Sequence, residues 1–208
     1  HFNLEDFKYY QLLGDSDRLY YRRDNGTEVS TVKLLMGQMK LTTDSRRCTV
    51  AARQFLEKTI LELENNPDDA EMRGEHSISA AAIELQDGTL ISGHSSSLLG
   101  ASAALLLNAT KHLAGIGHEV KLISQEFITP IQHMKTTMLH GNNPRLHADE
   151  VLVALSVLSL QDDNCRRALE ALPLLNGCQI HSTEILNEID CKIFKKLGCD
   201  VTSDPVRK

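Results

Sequence analysis

Tryptophan is absent from the 208 residues, and aromatic residues make up only 4% of them. A core built on large rings is thereby excluded; the interior must be aliphatic and rich in alanine. There is no C-x-x-C pair, and the cysteines, Cys48, Cys165, Cys178, Cys191 and Cys199, are odd in number. Both facts argue against a disulfide framework and against a structural zinc site. They suit free thiols, and with them a cytoplasmic location. No apolar run reaches the roughly 18 residues of a membrane span. The opening HFNLEDFKYY lacks the basic start and apolar stretch of a signal peptide. Basic residues are in deficit: 22 Lys and Arg against 28 Asp and Glu leave a formal charge of −6. That disfavours a general nucleic-acid binder, whose surface must neutralise phosphates. Internal repeats and low-complexity segments are also lacking. The first residue is His1, not Met, from which we expect the chain to be the downstream part of a longer protein.

What is present reads as a globular α/β chain, with α+β as the alternative, since 41% apolar and 24% charged residues are ordinary for a folded domain. Residues 29–41 place Val32, Leu35, Met36 and Met39 at helical spacing. Thr43-Asp44 suits the cap of a second helix, with Val50, Phe55, Leu56, Ile60 and Leu63 as its apolar stripe. The run from Asn65 to Ser77 is polar and broken by Pro67, so the expected organisation is a helical lead-in over 1–76 and a C-terminal α/β domain over 77–208. Within the second part, Ser79–Leu85, Asp87-Gly88 and Thr89–Gly93 predict a β-hairpin, because Asp-Gly supplies the positive φ of a tight turn. Leu98–Ala114 is apolar nearly all round and predicts a buried helix. Glu119–Ser124 is expected as a strand, and Gln125–Leu139 and Asp149–Leu160 as helices. A helix over 164–172, a strand over Cys178–Ser182, a helix over Thr183–Leu197 and a last strand over Cys199–Thr202 complete the chain, with Gly198 stopping the final helix.

Three stretches could carry chemistry. The first is NNPRLHADEVLVALS, residues 142–156, in which Pro144 holds Asn143 extended. Asp149 and Glu150 fall in a first helical turn, where the dipole favours carboxylates. Arg145 is less easily explained by structure; its guanidinium fork suits a phosphate or carboxylate, with Asn143 beside it and His147 as an acid or base. The second is the serine loop Ser95-Ser96-Ser97 ahead of a helix N-terminus, which suits an anion; simple capping by Ser96 or Ser97 is the plainer alternative. No Gly-Lys-Ser/Thr follows it, so the chain holds no Walker motif. The third is His181, at the carboxyl end of a strand, where open α/β sheets bind ligands. A metal site from His147, His181 and a carboxylate has no short ligand spacing to support it, so none is expected. A Ser102–Lys135 dyad would need a desolvated lysine within reach of the hydroxyl.

Several of these motifs occur together in one known family. AAAIELQDGTLISG, SLLGASAALLLNATKHLAGI, Pro130-Ile131-Gln132, NPRLHADEVLVALS and the GCQIHST…FKKLGCDVT ending resemble, in the same order, the bacterial "domain of unknown function 1846" family. KLLMGQMKLTTDSRRCTVAARQFLEKT resembles the region just upstream, so the likeness spans residues 33–204. Thr202-Ser203-Asp204-Pro205 departs from a more usual Thr-Cys-x-Pro. The resemblance implies a C-terminal portion of a protein more than twice as long, whose other part is P-loop-like and Gly-rich. Some members have been labelled ATP-dependent peptidases, but the family has no agreed catalytic residues, and none is carried over.

The leading expectation is a domain that contributes a pocket for a small anionic ligand, a phosphate, nucleotide or carboxylate. Arg145 and Asn143 would clamp the anion, Ser95, Ser96 and Ser97 would donate, and His147 or His181 would move protons. The cofactor is left open. The alternatives are a non-catalytic assembly domain that packs on its own missing N-terminal part or forms a homo-oligomer, and a Ser–Lys hydrolase.

Overall fold

The computed structural model describes residues 34–65 and 77–204. The expectations for residues 1–28 and for the polar stretch that includes Pro67 lie outside the described residues. The hairpin forms where Asp87-Gly88 places it. Gly88 has φ +82°, the Thr89 N–H donates to Asp87 Oδ1 at 2.9 Å, and the Leu85 N–H donates to the Thr89 carbonyl at 2.9 Å. The turn joins β1 (Ala80–Glu84) to β2 (Leu90–His94). β3 (Gln179–Ser182) pairs antiparallel with β1, and β4 (Asp200–Ser203) pairs parallel with β3. The result is a four-stranded sheet in the order β2-β1-β3-β4. A parallel neighbour needs a crossover, and the helix Glu188–Lys196 supplies it.

Helices lie on both faces, so the fold is α/β. Side chains alternate across a strand. Ala81, Ile83, Ile180 and Val201 therefore share one face and join the main apolar core. That core takes in α2 (Ala101–Leu113), α3 (Gln125–His133), α4 (Ala148–Leu158), α5 (Asp163–Glu170) and α6 (Glu188–Lys196). Gly93 explains how close α2 lies: a Cβ there would sit 2.4 Å from the Leu105 backbone nitrogen. On the other face the register aligns Ser92, Ala82, His181 and Thr202, and α1 (Arg47–Glu64) packs against β1, β2 and β3. Two arginines fasten it. Arg46, 2% exposed, donates to Thr202 Oγ1 at 3.0 Å and the Asp200 carbonyl at 3.3 Å. Arg53 grips both oxygens of Asp204 at 2.7 and 2.8 Å.

Several local expectations change, among them the cap of α1, which is Arg46, while Thr43–Ser45 forms a 3₁₀ turn of its own. The buried face of α1 is Cys48, Ala52, Thr59 and Leu63, not the stripe through Val50, Phe55, Leu56 and Ile60. A helix laid on an alanine-bearing sheet presents small residues to it, and Phe55 turns aside to meet the His94 ring at 5.8 Å. Residues 119–124 form no strand. Leu122 and Ile123 are both buried, but no described strand pairs with them. Their stretch is tied by side chains instead: Lys111 Nζ to the His118 and Val120 carbonyls, and Cys165 Sγ to the Leu122 carbonyl. The last helix begins at Glu188, not Thr183, because Thr183 prolongs the β1–β3 ladder by exchanging bonds with Ala80. Asn187 is the true cap, accepting from the Asp190 N–H at 2.8 Å.

Candidate functional site

Two of the sequence candidates become neighbours through a parallel bridge between Leu99 and Leu146. The Leu146 N–H donates to the Leu98 carbonyl at 2.9 Å, and the Gly100 N–H donates to the Leu146 carbonyl at 3.0 Å. The serine loop and the Arg145–His147 loop therefore run side by side. The hydroxyls of Ser95 and Ser96 are committed to the backbone. Ser95, 1% exposed, accepts from the Ser79 N–H at 2.9 Å. Ser96 accepts from the N–H groups of Leu98 and Leu99 at 3.2 and 3.1 Å. Ser97 is exposed, and its carbonyl receives Gln132 Nε2 at 2.8 Å. Neither Ser96 nor Ser97 caps α2, whose N-cap is Gly100.

The second loop is fixed just as fully. Asn143 Oδ1 accepts from the Arg145 N–H at 3.0 Å. The Arg145 guanidinium, 7% exposed, donates to the Ser77 carbonyl at 3.1 Å. Lys135 Nζ bonds the Arg145 carbonyl at 2.5 Å and Glu150 Oε2 at 2.7 Å, and the same carboxylate oxygen receives the His147 N–H at 2.8 Å. His147 is the N-cap of α4. Its Nδ1 lies 2.9 Å from Asn187 Nδ2 and 3.6 Å from Asp190 Oδ2, and its Nε2 lies 3.4 Å from Asn143 Nδ2.

Asp190 is the hub that sequence reasoning passed over. It is 4% exposed, and it receives the Ala148 N–H at 2.9 Å and Asn187 Nδ2 at 2.9 Å. Burial alone would raise its pKa. Hydrogen bonds from His147, the Ala148 N–H and Ser102 outweigh that and hold the carboxyl below its ordinary range. The same carboxylate pushes the His147 pKa up, against the burial of the ring. The Asn187 contact suits a neutral ring and the Asp190 contact a charged one. We give Asp190 more weight, because a full charge outranks an amide dipole at partly buried range.

His181 stands apart. It is 1% exposed beneath α1, with Nδ1 2.8 Å from Thr202 Oγ1 and Nε2 3.4 Å from Asp204 Oδ2. Burial would raise the Asp204 carboxyl, but Arg53 and His181 hold it well below the carboxylate range. The structure thus gathers Asn143, Arg145 and His147 with Lys135, Glu150, Asn187 and Asp190. His181 belongs to a separate buried network, and Ser102, bonded to Asp190, is not joined to Lys135. The one signal for the hub was Asn187-x-x-Asp190, a capping spacing.

Of the concavities among the described residues, one meets this cluster at Glu150 and another lies apart from it. A groove of about 580 Å³ runs between α3 and α4, and a cleft of about 660 Å³ opens between β2, Phe55 of α1 and the far half of α2. Among the described residues no three His, Cys, Asp or Glu are grouped to hold a metal ion, and no helix is long and apolar enough to cross a membrane.

Comparison with known proteins gives one consistent match. The profile of the family described as "Domain of unknown function DUF1846, C-terminal" covers residues 44–208. A UPF0371 protein of Corynebacterium aurimucosum is 60% identical over 127 residues, 61% of this chain and 26% of that protein. Its counterpart in Corynebacterium urealyticum is 42% identical over 198 residues, 95% of this chain and 36% of that protein. One in Streptococcus uberis is 36% identical over 199 residues, 96% of this chain and again 36% of that protein. The chain spans about a third of the length of the curated relatives it matches.

Proposed function

This chain belongs to the DUF1846 family, and from that premise we propose that it is an assembly domain, whose α3–α4 groove holds an amphipathic, basic-flanked helix from the polypeptide that full-length relatives carry beyond the matched third. The observation that carries this is the groove itself. Its floor is Phe127, Pro130, Ile131, Met134, Val153 and Val157, and Phe127, Val153 and Val157 are 51%, 66% and 59% exposed. Contiguous apolar surface of this kind on a folded domain marks an interaction site, and a groove between two helices fits a third. Charge sets the kind of partner. Glu126 and Asp149 line the groove beside Glu150, which is paired with Lys135, and no Lys or Arg is among the described lining residues. Asp149 Oδ1 is buried without a hydrogen-bond partner among the described residues. A second copy would bring the same acidic rim against itself, whereas a basic flank would complement it.

An anion pocket built on Arg145, Asn143, His147 and the serine loop is less well supported, because those groups hold one another and the backbone. The Ser102–Lys135 reading has least support, since the Lys135 ammonium is engaged by Glu150 and the Arg145 carbonyl. The test is hydrogen exchange on the 208-residue chain with a synthetic Leu/Lys amphipathic helix, its Leu/Glu counterpart, and the variant Val153→Glu. The expected result is slowed exchange in α3 and α4 with the basic peptide only, lost in the variant. No protection by either peptide would overturn the reading. So would light scattering that shows a dimer abolished by Val153→Glu, which would give the groove to a second copy.

A further inference from the structure

The groove is acidic; the cleft at the other side of the domain has the opposite character. Among the described residues no Asp or Glu lines it, in a chain with more acidic than basic residues overall. Its polar lining residues include His94, His112, His118, Lys111, Ser92 and Asn108, the last with its amide nitrogen on the Ser92 carbonyl at 2.9 Å. Its apolar walls include Phe55, Ile91 and Ile116. At about 660 Å³ it falls within the roughly 300–1,000 Å³ of small-molecule sites.

We propose that this cleft binds a small organic anion, a carboxylate or phosphate head on an apolar body. Lys111 anchors the positive end. It is held in the wall by the His118 carbonyl at 2.9 Å and the Val120 carbonyl at 3.3 Å, so two of its three N–H donors are fixed and its direction is set before any ligand arrives. Glu119, the nearest carboxylate to act on it, lies outside the lining. His112 and His118 are exposed on the rim, where their rings can meet the head group. His94 is committed differently: its Nδ1 donates to the Ser95 carbonyl at 2.9 Å, and its ring lies tilted against Phe55. That pair forms an apolar wall for the ligand's body. The floor is rigid, because α2 presses on Gly93 with no room for a side chain. Of the serine loop, only Ser96 reaches this cleft, and Arg145 has no part in it.

The experiment is an NMR titration of the 208-residue chain with phenyl phosphate, benzoate and neutral benzyl alcohol, followed at the backbone amides. Both anions should move the signals of β2 and the end of α2 and saturate, with benzyl alcohol nearly silent. Whichever anion binds more tightly assigns the head group. His112→Ala with His118→Ala, both at exposed positions, should weaken binding about tenfold or more, since charge-assisted contacts are lost. Equal shifts with benzyl alcohol would overturn the proposal. So would unchanged affinity in the double variant, or anion-induced shifts confined to the Arg145 loop. None of these outcomes bears on the α3–α4 groove, which shares no lining residue with the cleft.

Discussion

At the scale of single residues, the buried polar groups do structural work that can be measured. Asp190 joins the first turn of α4, Asn187 and His147. Replacing it with Ala would strand the Ala148 N–H and remove the charge beside His147. A loss of about 3–4 kcal/mol in urea unfolding is expected. The pH dependence follows from the two shifts. The His147 pKa is raised above 6.5, so its contribution is fully present below 6.5 and is lost as the pH rises through the folded value. The Asp190 pKa is depressed below 3.8, so its contribution is present above 3.8 and is lost only as the pH falls through the folded value. The stability gap between the native chain and His147→Ala should therefore be wider at about pH 5.5 than at about pH 8.5. An equal gap at both would remove the pair from the account. The cysteines give a second reading of burial. Cys48, Cys165, Cys178 and Cys199 are buried, and Cys191 is half-buried. Burial pushes the Cys199 thiol up to about 12 and raises Cys48, Cys165 and Cys178 as well. The thiolate is the reacting form, so an aromatic disulfide reagent should label Cys191 first and the other four only on unfolding.

At the scale of elements, what was legible in the sequence was what neighbours decide. The β1–β2 hairpin follows from Asp87-Gly88, whose bonds span two to four residues, and α2 follows from an unbroken apolar run. The connector that holds Arg145 and His147 ahead of α4 was legible for the same reason, but the Asn143 bond to the Arg145 N–H within it was not foreseen. What was not legible depends on partners far along the chain. Arg46 meets Thr202 across 156 residues and Ala148 meets Asp190 across 42, so the sheet-facing side of α1 leaves no local pattern, and the Asn187-x-x-Asp190 spacing shows a helix cap without showing what Asp190 joins. His181 shows the limit from the other side: its place near a strand end was visible, but the helix that covers it comes from more than a hundred residues earlier. Gly93 is the sharpest test of how elements fit. A methyl group there would meet the Leu105 nitrogen at 2.4 Å, so Gly93→Ala must push α2 off β2. A loss of about 3 kcal/mol is expected. Gly88→Ala, at φ +82° and with the flexible Arg47 guanidinium 3.2 Å from the added carbon, should cost about 1–2 kcal/mol, chiefly from backbone strain. If the two variants unfold at the same denaturant concentration, the close packing of α2 on β2 is not what fixes this layer.

At the scale of the whole molecule, the domain presents two concavities of opposite character. The α3–α4 groove is apolar with carboxylates at its rim, and the β2–α2 cleft is lined by histidines and a lysine, with no Asp or Glu among the described lining residues. An overall charge of −6 does not foretell either, because each is set by which few side chains the fold turns toward it. The separation has a physical consequence. Neighbouring sites couple when they share side chains or a polar network, and distant ones add. Here no described residue lines both, and α2, which lines the cleft, packs against β2 and α4. Val153→Glu should therefore leave phenyl phosphate affinity unchanged, and the paired His112 and His118 substitutions should leave protection by the basic peptide unchanged. In a double-mutant cycle the two effects should add to within about 0.5 kcal/mol. A larger interaction energy would mean that α2 moves as a unit when either side is occupied, and the domain would then pass a signal from its ligand cleft to its docking groove. Additivity would instead make it a fixed platform that carries two independent contacts.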